Sequence, residues 1–373
     1  MLIQLAITGM LVALLPLAIV WSSRDPDKYR KLVWTTIFLT FDLIMFGAFT
    51  RLTDSGLGCP DWPGCYGHAN PLQAREHITA AEAMMPTGPV TVIKAWIEMI
   101  HRYVAMSIGV LIIAIVVVAW RNWRASRRTD PRFTPWYPMV LLGFICLQGA
   151  FGAWTVTMKL QPVIVTTHLI LGMGLLALLT WLGQRQLIQA PVVADAARLR
   201  LPALAAAAAL AVQIALGGWV STNYATLACT EFPLCNGSVV PEMDWANGFA
   251  LWRELGMTAS GDFLPFPALI ASHWVHRTFA FAVVALVAWI GWRALKTDGL
   301  RTTGRWLLIV IALQFTTGVS TIYLSWPLAL AVIHNGGAAL LTLLLTVVNY
   351  RAYISSRLRL PHAAAPRTAS ASA

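Results

Sequence analysis

The sequence predicts an all-α polytopic membrane protein, with two pseudo-symmetric four-helix transmembrane bundles related by a parallel duplication and one extra N-terminal span. Three observations support this fold class: the composition, the number of long apolar segments, and a repeat that relates the two halves of the chain. Of the 373 residues, 58% are hydrophobic and only 12% are charged. An apolar stretch of about 20 residues is long enough to cross a bilayer as a helix. The lipid bilayer is therefore the predicted environment of the chain.

Nine apolar segments reach the length of a transmembrane helix. They are predicted at residues 2–21, 32–52, 92–120, 136–156, 163–183, 202–221, 267–295, 305–325 and 328–350. The first segment lacks a basic stretch before it and a small-x-small cleavage site before Arg24. We therefore predict an additional helix there rather than a cleaved signal peptide.

The net charge of +11 does not indicate nucleic acid binding once the positions of the charges are considered. Most of the 27 basic residues lie in alternate connections between the spans, for example Arg121, Arg124 and Arg127 after the third span. Short loops rich in lysine and arginine stay in the cytoplasm. We therefore predict a multi-pass protein of the cell inner membrane, with its N-terminus in the periplasm, its C-terminus in the cytoplasm and no nucleic acid partner.

A repeat divides the chain into two halves. Three landmarks recur at an offset of 170: Gly47, Cys59 and Cys65 in the first half, and Gly217, Cys229 and Cys235 in the second. The interval from Gln148 to His168 also equals the interval from Gln314 to His334. Because each half has four spans, both halves enter the membrane in the same direction, and the pseudo-two-fold axis should run along the membrane normal. The predicted parts are an extra helix and basic loop (1–31), an N-terminal bundle (32–190), a C-terminal bundle (191–355) and a disordered tail (356–373).

Each half carries two cysteines in its first predicted outside loop. We predict a Cys59–Cys65 disulfide and a Cys229–Cys235 disulfide, since the periplasm permits such bonds. The favoured interpretation is that each disulfide stabilises the turn of its loop. The alternatives are a redox-active cysteine pair and a metal site. Zinc sites usually space paired cysteines more closely and need four ligands. Cys146 lies inside a span and is predicted to be a small buried residue.

Four histidines lie at one depth in the predicted bundles: His101, His168, His276 and His334. Each stands about five to nine residues past the outer end of its span, or roughly one or two helical turns. An ionisable side chain inside the membrane is costly and indicates a function. A single such histidine most often bonds to a neighbouring helix. Two at one depth on two helices can instead hold a haem iron from both faces, so we predict the pairs His101 with His168 and His276 with His334.

The two halves differ beside these histidines. EMIHR, from 98, aligns with HWVHR, from 273, so Glu98 occupies the place of His273. Residues three apart share a helix face, which directs Glu98 towards the group that His101 binds. A buried carboxylate there would move protons during an oxidation. The alternative is an ion pair with Arg102 or a hydrogen bond to a neighbouring helix.

Three arginines close to the histidines are candidates for contacts with porphyrin propionates. These residues are Arg51, Arg102 and Arg277. A guanidinium group can bind a carboxylate through two parallel hydrogen bonds. The alternative interpretation is that these side chains extend to the membrane interface.

Five motifs make the chain resemble the haem A synthase family, membrane enzymes that convert haem O into haem A for terminal oxidases. The motifs are GAFTRLTDSGLGCPDWPGCYG from 47, EMIHR from 98, TTHLILG from 166, HWVHR from 273 and IHNGGAAL from 333. The resemblance covers roughly residues 32–352. The chain departs from the family pattern in its extra first span and in a long loop at 222–266.

The resemblance implies a role for each candidate residue. His276 and His334 would hold the iron of a haem b cofactor, and His101 and His168 would bind the iron of haem O, the substrate. Glu98 would be the catalytic acid. The implied reaction oxidises the C8 methyl of the porphyrin to a formyl group through a hydroxymethyl stage. Cys59 and Cys65 would serve electron transfer or stability.

Two other functions fit part of the sequence. A bis-histidine di-haem b membrane electron-transfer protein, passing electrons from a quinol to an outside acceptor, would use the same histidine pairs. A transporter of haem or another solute would suit the parallel repeat. An acid beside only one haem favours the enzyme, since a relay has no need of it. The sequence leaves open the electron carrier, an association with haem O synthase, and the oligomeric state, a homo-oligomer included.

Overall fold

A computed structural model describes residues 1–187 and 194–358. Within these residues the chain forms eleven α-helices, three short 3₁₀ turns and no β-strand. The helices are α1 (Leu2–Ser22), α2 (Lys28–Leu52), α3 (Arg75–Met84), α4 (Val92–Ala125), α5 (Trp136–Thr157), α6 (Pro162–Arg185), α7 (Arg200–Thr222), α8 (Trp245–Gly248), α9 (Phe266–Leu295), α10 (Arg301–Tyr323) and α11 (Leu328–Leu358). The disordered tail predicted from residue 356 lies mostly outside the described residues.

Nine of the described helices are long and apolar enough to cross a membrane, so the protein is an all-α, multi-pass membrane protein. They coincide with the nine predicted spans to within about five residues, except that α11 ends eight residues after the predicted end of the last span. Their ends follow local chemistry. The Asp27 carboxylate accepts a hydrogen bond from the Arg30 amide at 2.9 Å, and the Thr91 hydroxyl accepts one from the Lys94 amide at 3.2 Å, which caps the first turns of α2 and α4. Pro162 begins α6, where its missing amide hydrogen costs nothing.

The neighbours of each long helix follow the repeat. In the first half α2 packs against α4 and α5 against α6, and in the second half α7 packs against α9 and α10 against α11. Four helices, α2, α6, α7 and α11, also pack on one another at the centre. One continuous apolar core joins both halves. The separation into two four-helix bundles stays a prediction, because α2 and α6 of the first half also pack directly on α11 of the second half, and α6 packs on α7.

The two ends of the helical assembly differ in their loops. We call the end that carries both cysteine loops the disulfide face and the opposite end the basic face. Leu5 of α1 packs into a cluster with Cys59 and Cys65, so the N-terminus lies at the disulfide face. Further along α1, Gly9 lies directly against Met106 of α4. The extra helix is thus packed against the first half, while the cellular orientation of the two faces stays a prediction.

The two cysteine loops have the same local structure. Cys59 and Cys65 form a disulfide with Cα atoms 4.9 Å apart, and Cys229 and Cys235 form another with Cα atoms 4.7 Å apart. Cys65 exchanges two backbone hydrogen bonds with His68, and Cys235 does the same with Ser238. Both predicted disulfides are confirmed. Because all four sulfurs are used in these bonds, they are not zinc ligands.

The remaining cysteine corrects one expectation. Cys146 was predicted to be a small buried residue, but it is exposed on α5. Membrane helices are apolar on both faces, so hydrophobicity alone does not separate a lipid-facing position from an interior one.

The long loop before α9 is ordered around a buried arginine. Arg253 is 3% exposed; it donates hydrogen bonds to the Asn223 side chain and, at 3.1 Å, to the Met257 carbonyl. Burial lowers the pKa of this guanidinium. The Trp219 indole donates to the Gly248 carbonyl at 2.7 Å and ties α8 to the end of α7. The loop thus covers the second half at the disulfide face.

Candidate active site

Each of the four candidate histidines packs its ring against a glycine of the neighbouring helix. The four pairs are His101 on Gly47, His168 on Gly152, His276 on Gly217 and His334 on Gly318. A Cβ atom placed on these glycines would lie 3.0, 3.2, 2.9 and 3.1 Å from the Cε1 atom of the paired ring. Any side chain larger than hydrogen would displace the imidazole. The glycines therefore allow the four rings to be held in the same way.

The four histidines lie in two groups of two, and their pairing on a haem iron stays a prediction. His101 on α4 and His168 on α6 lie close enough to interact electrostatically, and so do His276 on α9 and His334 on α11. In the described part of the chain, Nε2 of His101 and of His276 makes no hydrogen bond. A lone pair on such a nitrogen is available to bind iron.

Glu98 and His273 make the same contact in the two halves. The Glu98 Oε2 atom accepts a hydrogen bond from the backbone amide of Cys59 at 2.8 Å. The His273 Nδ1 atom accepts one from the amide of Cys229 at 3.2 Å. Both side chains are only 4% exposed. Each therefore anchors a disulfide loop to the helix that carries the first histidine of its pair.

Glu98 also forms an ion pair with Arg102 through its second oxygen. This is the alternative contact that the sequence suggested for the acid. His273 cannot pair with Arg277 in this way, since a neutral imidazole carries no negative charge. The acid and the ion pair thus belong to the first half only.

Arg102 and Arg277 donate hydrogen bonds to backbone carbonyls of the two disulfide loops. Arg102 Nη1 donates to the carbonyl oxygens of Asp61, at 3.0 Å, and of Gly64, at 2.5 Å. Arg277 Nη2 donates to the carbonyls of Pro233 and Leu234 at 3.3 and 3.0 Å. These contacts give both arginines a structural role in the loops, and a propionate contact by Arg102 or Arg277 stays a prediction.

Arg102 and Arg277 differ in whether a side-chain nitrogen remains without a partner and could bind another ligand. Arg102 uses Nη1 for the loop and Nη2 for Glu98. Nη1 of Arg277 is buried and has no partner among the described residues. A buried, unpaired N–H group is costly unless a ligand binds it. Of the two, Arg277 is therefore better suited to a propionate.

Arg51 lies where the two halves meet. Its Nη2 atom donates to the Ser221 carbonyl at 2.7 Å, and its Nη1 atom pairs with Asp54 at 3.1 Å. Its guanidinium also lies over the Tyr224 ring, 4.3 Å from the centroid. Its structural contacts thus join α2 to the end of α7, and a propionate contact by Arg51 stays a prediction.

The histidine pairs fit the iron of a haem. A haem iron would be held by the two histidines of one half. Unlike a zinc site, it would need no third or fourth metal-binding side chain. The glycine contacts fix the ring edges, and the buried Nδ1 atoms of His101 and His168 have no partner among the described residues. Two imidazoles in each half are therefore the donors that such an iron would find.

A model of the COX15-CtaA family, described as cytochrome oxidase assembly protein, matches residues 30–347. The match covers both histidine pairs and both disulfide loops. The chain belongs to the COX15-CtaA family.

Curated relatives align with this COX15-CtaA chain over most of their length. A haem A synthase of Shewanella oneidensis is 37% identical over 325 residues, which is 86% of this chain and 96% of the relative. A haem A synthase of Caulobacter sp. (strain K31) is 30% identical over 330 residues, or 84% of this chain and 92% of the relative. A haem A synthase of Sphingopyxis alaskensis is 29% identical over 337 residues, or 85% of this chain and 89% of the relative. The alignments span both halves of the COX15-CtaA fold.

Glutamines beside the histidines escaped the sequence prediction. Gln213 donates to the His276 carbonyl at 3.0 Å, and Gln148 donates to the His168 carbonyl at 3.1 Å. Gln314 lies 3.3 Å from Nε2 of His334. Each glutamine stands four residues before one of the glycines that contact the rings, on the same helix face. The spacing Gln-x-x-x-Gly occurs at these three places in the chain. It is the sequence signal that would have identified the three glutamines.

Proposed function

We propose that this chain is a haem A synthase, an oxidoreductase that converts the C8 methyl group of haem O into a formyl group through a hydroxymethyl stage. Membership of the COX15-CtaA family and the similarity to haem A synthases of other bacteria support the proposal. The structural observation that carries it is the difference between equivalent positions, Glu98 in one half and His273 in the other. A buried acid beside one histidine pair suits one reacting site and one permanent cofactor.

The residues would divide the chemistry between the two halves. His101 and His168 bind the iron of the substrate haem O and orient its macrocycle. His276 and His334 bind a haem b cofactor. When bound, haem b supplies one-electron redox chemistry. The net change on the substrate, methyl to formyl, is a four-electron oxidation in two two-electron steps, and it needs one oxygen atom and an oxidant that takes four electrons, both supplied from outside the chain.

Glu98 would accept a proton from the reacting site. One carboxylate oxygen accepts the Cys59 amide hydrogen and the other pairs with Arg102. Because the ion pair stabilises the charged carboxylate, proton uptake requires the contact with Arg102 to open. Arg102 thus sets when the acid is available, and the disulfide loop keeps the acid in place.

The surroundings of the enzyme follow from this proposal. The chain would lie in the cell inner membrane with the disulfide face towards the periplasm and the basic face towards the cytoplasm. Haem O would arrive through the membrane from the haem O synthase that makes it. A quinol or another carrier would exchange electrons with haem b, and a homo-oligomer is compatible with the exposed apolar helices.

The test is chemical analysis of haems in a host that makes haem O but no haem A. Haems are extracted with and without expression of this chain and separated by mass-resolved chromatography. Haem A or its hydroxymethyl precursor in the expressing cells supports the synthase. The His101→Ala variant is the matched control, and it should abolish both products while the purified protein retains haem b.

A folded protein that contains haem b and leaves available haem O unchanged would contradict the proposal. Cells that also express a COX15-CtaA relative known to be active provide the positive control for haem O supply. If only that relative produces haem A, a di-haem electron-transfer protein becomes the better interpretation of this chain.

A further inference from the structure

The two histidine pairs differ in the hydrogen bonding of the ring nitrogen Nδ1. In the second half, Nδ1 of His276 lies 3.1 Å from the Gln213 side-chain amide, and Nδ1 of His334 lies 3.0 Å from the Thr317 hydroxyl. In the first half, Nδ1 of His101 and Nδ1 of His168 are buried without a hydrogen-bond partner among the described residues. The histidines of the second half therefore have hydrogen-bond partners at Nδ1, and those of the first half have none among the described residues.

The duplication traces this difference to two positions. At the repeat offset of 170, Gln213 corresponds to Leu43. At the offset of 166 that relates the later motifs, Thr317 corresponds to Phe151. Both partners in the second half are thus replaced by apolar residues in the first half. The glycine contacts, by contrast, are the same in all four places.

The Thr317 hydroxyl defines which nitrogen of His334 carries the proton. Its oxygen donates to the Gln314 carbonyl at 3.0 Å, which uses its only hydrogen. Towards Nδ1 the hydroxyl can then only accept, so Nδ1 carries the proton and Nε2 keeps a lone pair. That is the tautomer in which His334 binds iron through Nε2. That lone pair faces the Gln314 amide at 3.3 Å, and Gln314 would have to move aside for iron to bind.

Gln213 acts on His276 in two ways. Its amide donates to the His276 backbone carbonyl at 3.0 Å and also faces Nδ1. When iron takes Nε2, Nδ1 carries the hydrogen, and the Gln213 amide must turn so that its oxygen, which has no partner among the described residues, accepts it in place of the bond to the His276 carbonyl. The contact fixes the rotation of the ring about its long axis.

A hydrogen bond to the second nitrogen of a metal-bound histidine orients the ring and makes it a stronger ligand. Loss of such a partner typically costs about 10–100-fold in metal affinity or activity. A cofactor that stays in place benefits from strong ligands. A substrate that must enter and leave as product requires ligands that release it.

We propose that Gln213 and Thr317 are positioning residues that make His276 and His334 permanent haem ligands, and that Leu43 and Phe151 leave His101 and His168 as exchangeable ligands. The identity of the exchangeable group as haem O rests on the proposed function. The difference in ligand strength between the halves does not, since it follows from the hydrogen bonds alone.

The test compares haem release from the purified full chain. Thr317→Val removes the hydroxyl at nearly constant volume, and Thr317→Ser keeps it. Haem b is transferred to excess apomyoglobin and the rate is followed by absorbance. Thr317→Val should release haem on the order of 10-fold faster, while Thr317→Ser should release it at close to the native rate. Gln213→Leu, which restores the residue of the first half, should behave like Thr317→Val.

A second measurement separates ligand strength from folding. Loss of the Nδ1 partner makes the imidazole a weaker donor and stabilises ferric iron less, so the midpoint potential of haem b should rise in Thr317→Val and not in Thr317→Ser. The reciprocal variant Phe151→Thr should slow haem release from the first half. Unchanged release and unchanged potential in Thr317→Val would overturn the proposal. None of these readouts depends on turnover, so a chain that makes no haem A would still test it.

Discussion

Tyr224 donates a 2.6 Å hydrogen bond to the carboxylate of Asp54, and the two residues stand 170 positions apart, which is the offset of the repeat. Residues at equivalent positions of two related halves come into contact only close to the axis that relates them. A second equivalent pair, Arg51 and Ser221, makes contact beside the first. We infer that the pseudo-two-fold axis passes through this cluster at the disulfide face.

The Tyr224–Asp54 contact should stabilise the junction of the two halves modestly. Both residues are about half exposed, so solvent screens the interaction, and Tyr224→Phe should cost about 1 kcal/mol of unfolding free energy. A double-mutant cycle with Asp54→Ala, measured by denaturant unfolding in detergent, would show coupling between the two positions. The same cycle with Asp61→Ala, a loop residue outside the cluster, should be additive. Additivity in both cycles would contradict the contact.

Gly217→Ala should displace the His276 ring and weaken haem b binding. The new methyl group would lie 2.9 Å from Cε1, which is too close for an unmoved ring. The haem-to-protein ratio and the reduced spectrum of the purified variant measure the effect. Gly109→Ala is the matched control, because a Cβ there meets no atom within 4 Å, and it should retain haem fully.

The corresponding change in the first half should spare haem b. Gly47→Ala would place its methyl group 3.0 Å from Cε1 of His101. We expect normal haem b content with a lower yield of haem A. Loss of haem b in Gly47→Ala, or full retention in Gly217→Ala, would show that the two halves do not hold their haems separately.

The sequence predicted the spans because span length depends on local signals, and the common depth of the histidines, which stays a prediction, was inferred in the same way. Helix length follows from runs of apolar residues, and a histidine at a fixed distance from a span end has its depth set by the helical rise. The glycines Gly47 and Gly217 were identified as landmarks of the repeat. Their contact with the histidine rings became visible only when the helices were placed side by side.

The contacts of the charged residues were harder to predict, because they join parts of the chain that are far apart in sequence. Glu98 binds the Cys59 amide across 39 positions, and Arg102 binds the loop carbonyls across a similar distance. Loop geometry decides such contacts, and a single sequence does not reveal it. Thr317 escaped notice for a different reason: threonine is common in membrane helices, where its hydroxyl usually bonds within its own helix.

Arg102→Lys should expose the first disulfide to reduction and leave the second unaffected. A lysine carries its three N–H donors on one nitrogen, so it lacks the two separate nitrogens with which Arg102 reaches the loop carbonyls and Glu98. The rate of thiol formation at Cys59 and Cys65 with dithiothreitol, followed by alkylation and mass spectrometry, should rise severalfold. In the same sample Cys229 and Cys235 provide an internal control.

Arg277→Lys should give the reverse result. Its loop contacts, with Pro233 and Leu234, lie in the second half. Faster reduction of both disulfides in either variant would indicate general unfolding rather than release of one loop.

Glu98→His should separate the structural contact of the acid from its chemical role. His273 shows that an imidazole at the equivalent position accepts the amide hydrogen of the loop cysteine. The variant should therefore fold, form the Cys59–Cys65 disulfide and bind haem b, since the second half is unchanged. It should nevertheless fail to make haem A, because an imidazole neither pairs with Arg102 nor offers a carboxylate to the reacting site.

Glu98→Gln is the companion variant, because it keeps an acceptor oxygen and nearly the same volume but carries no charge. We expect it to retain the loop contact and to lose haem A formation. If Glu98→Gln supports a normal yield of haem A, the acid acts only as an anchor for the disulfide loop. If both variants lose the Cys59–Cys65 disulfide, the contact of Glu98 with the loop is required for the disulfide to form. The catalytic role of Glu98 is then tested with variants of its ion-pair partner Arg102. Normal disulfides together with absent product, in both variants, would assign Glu98 to the chemistry.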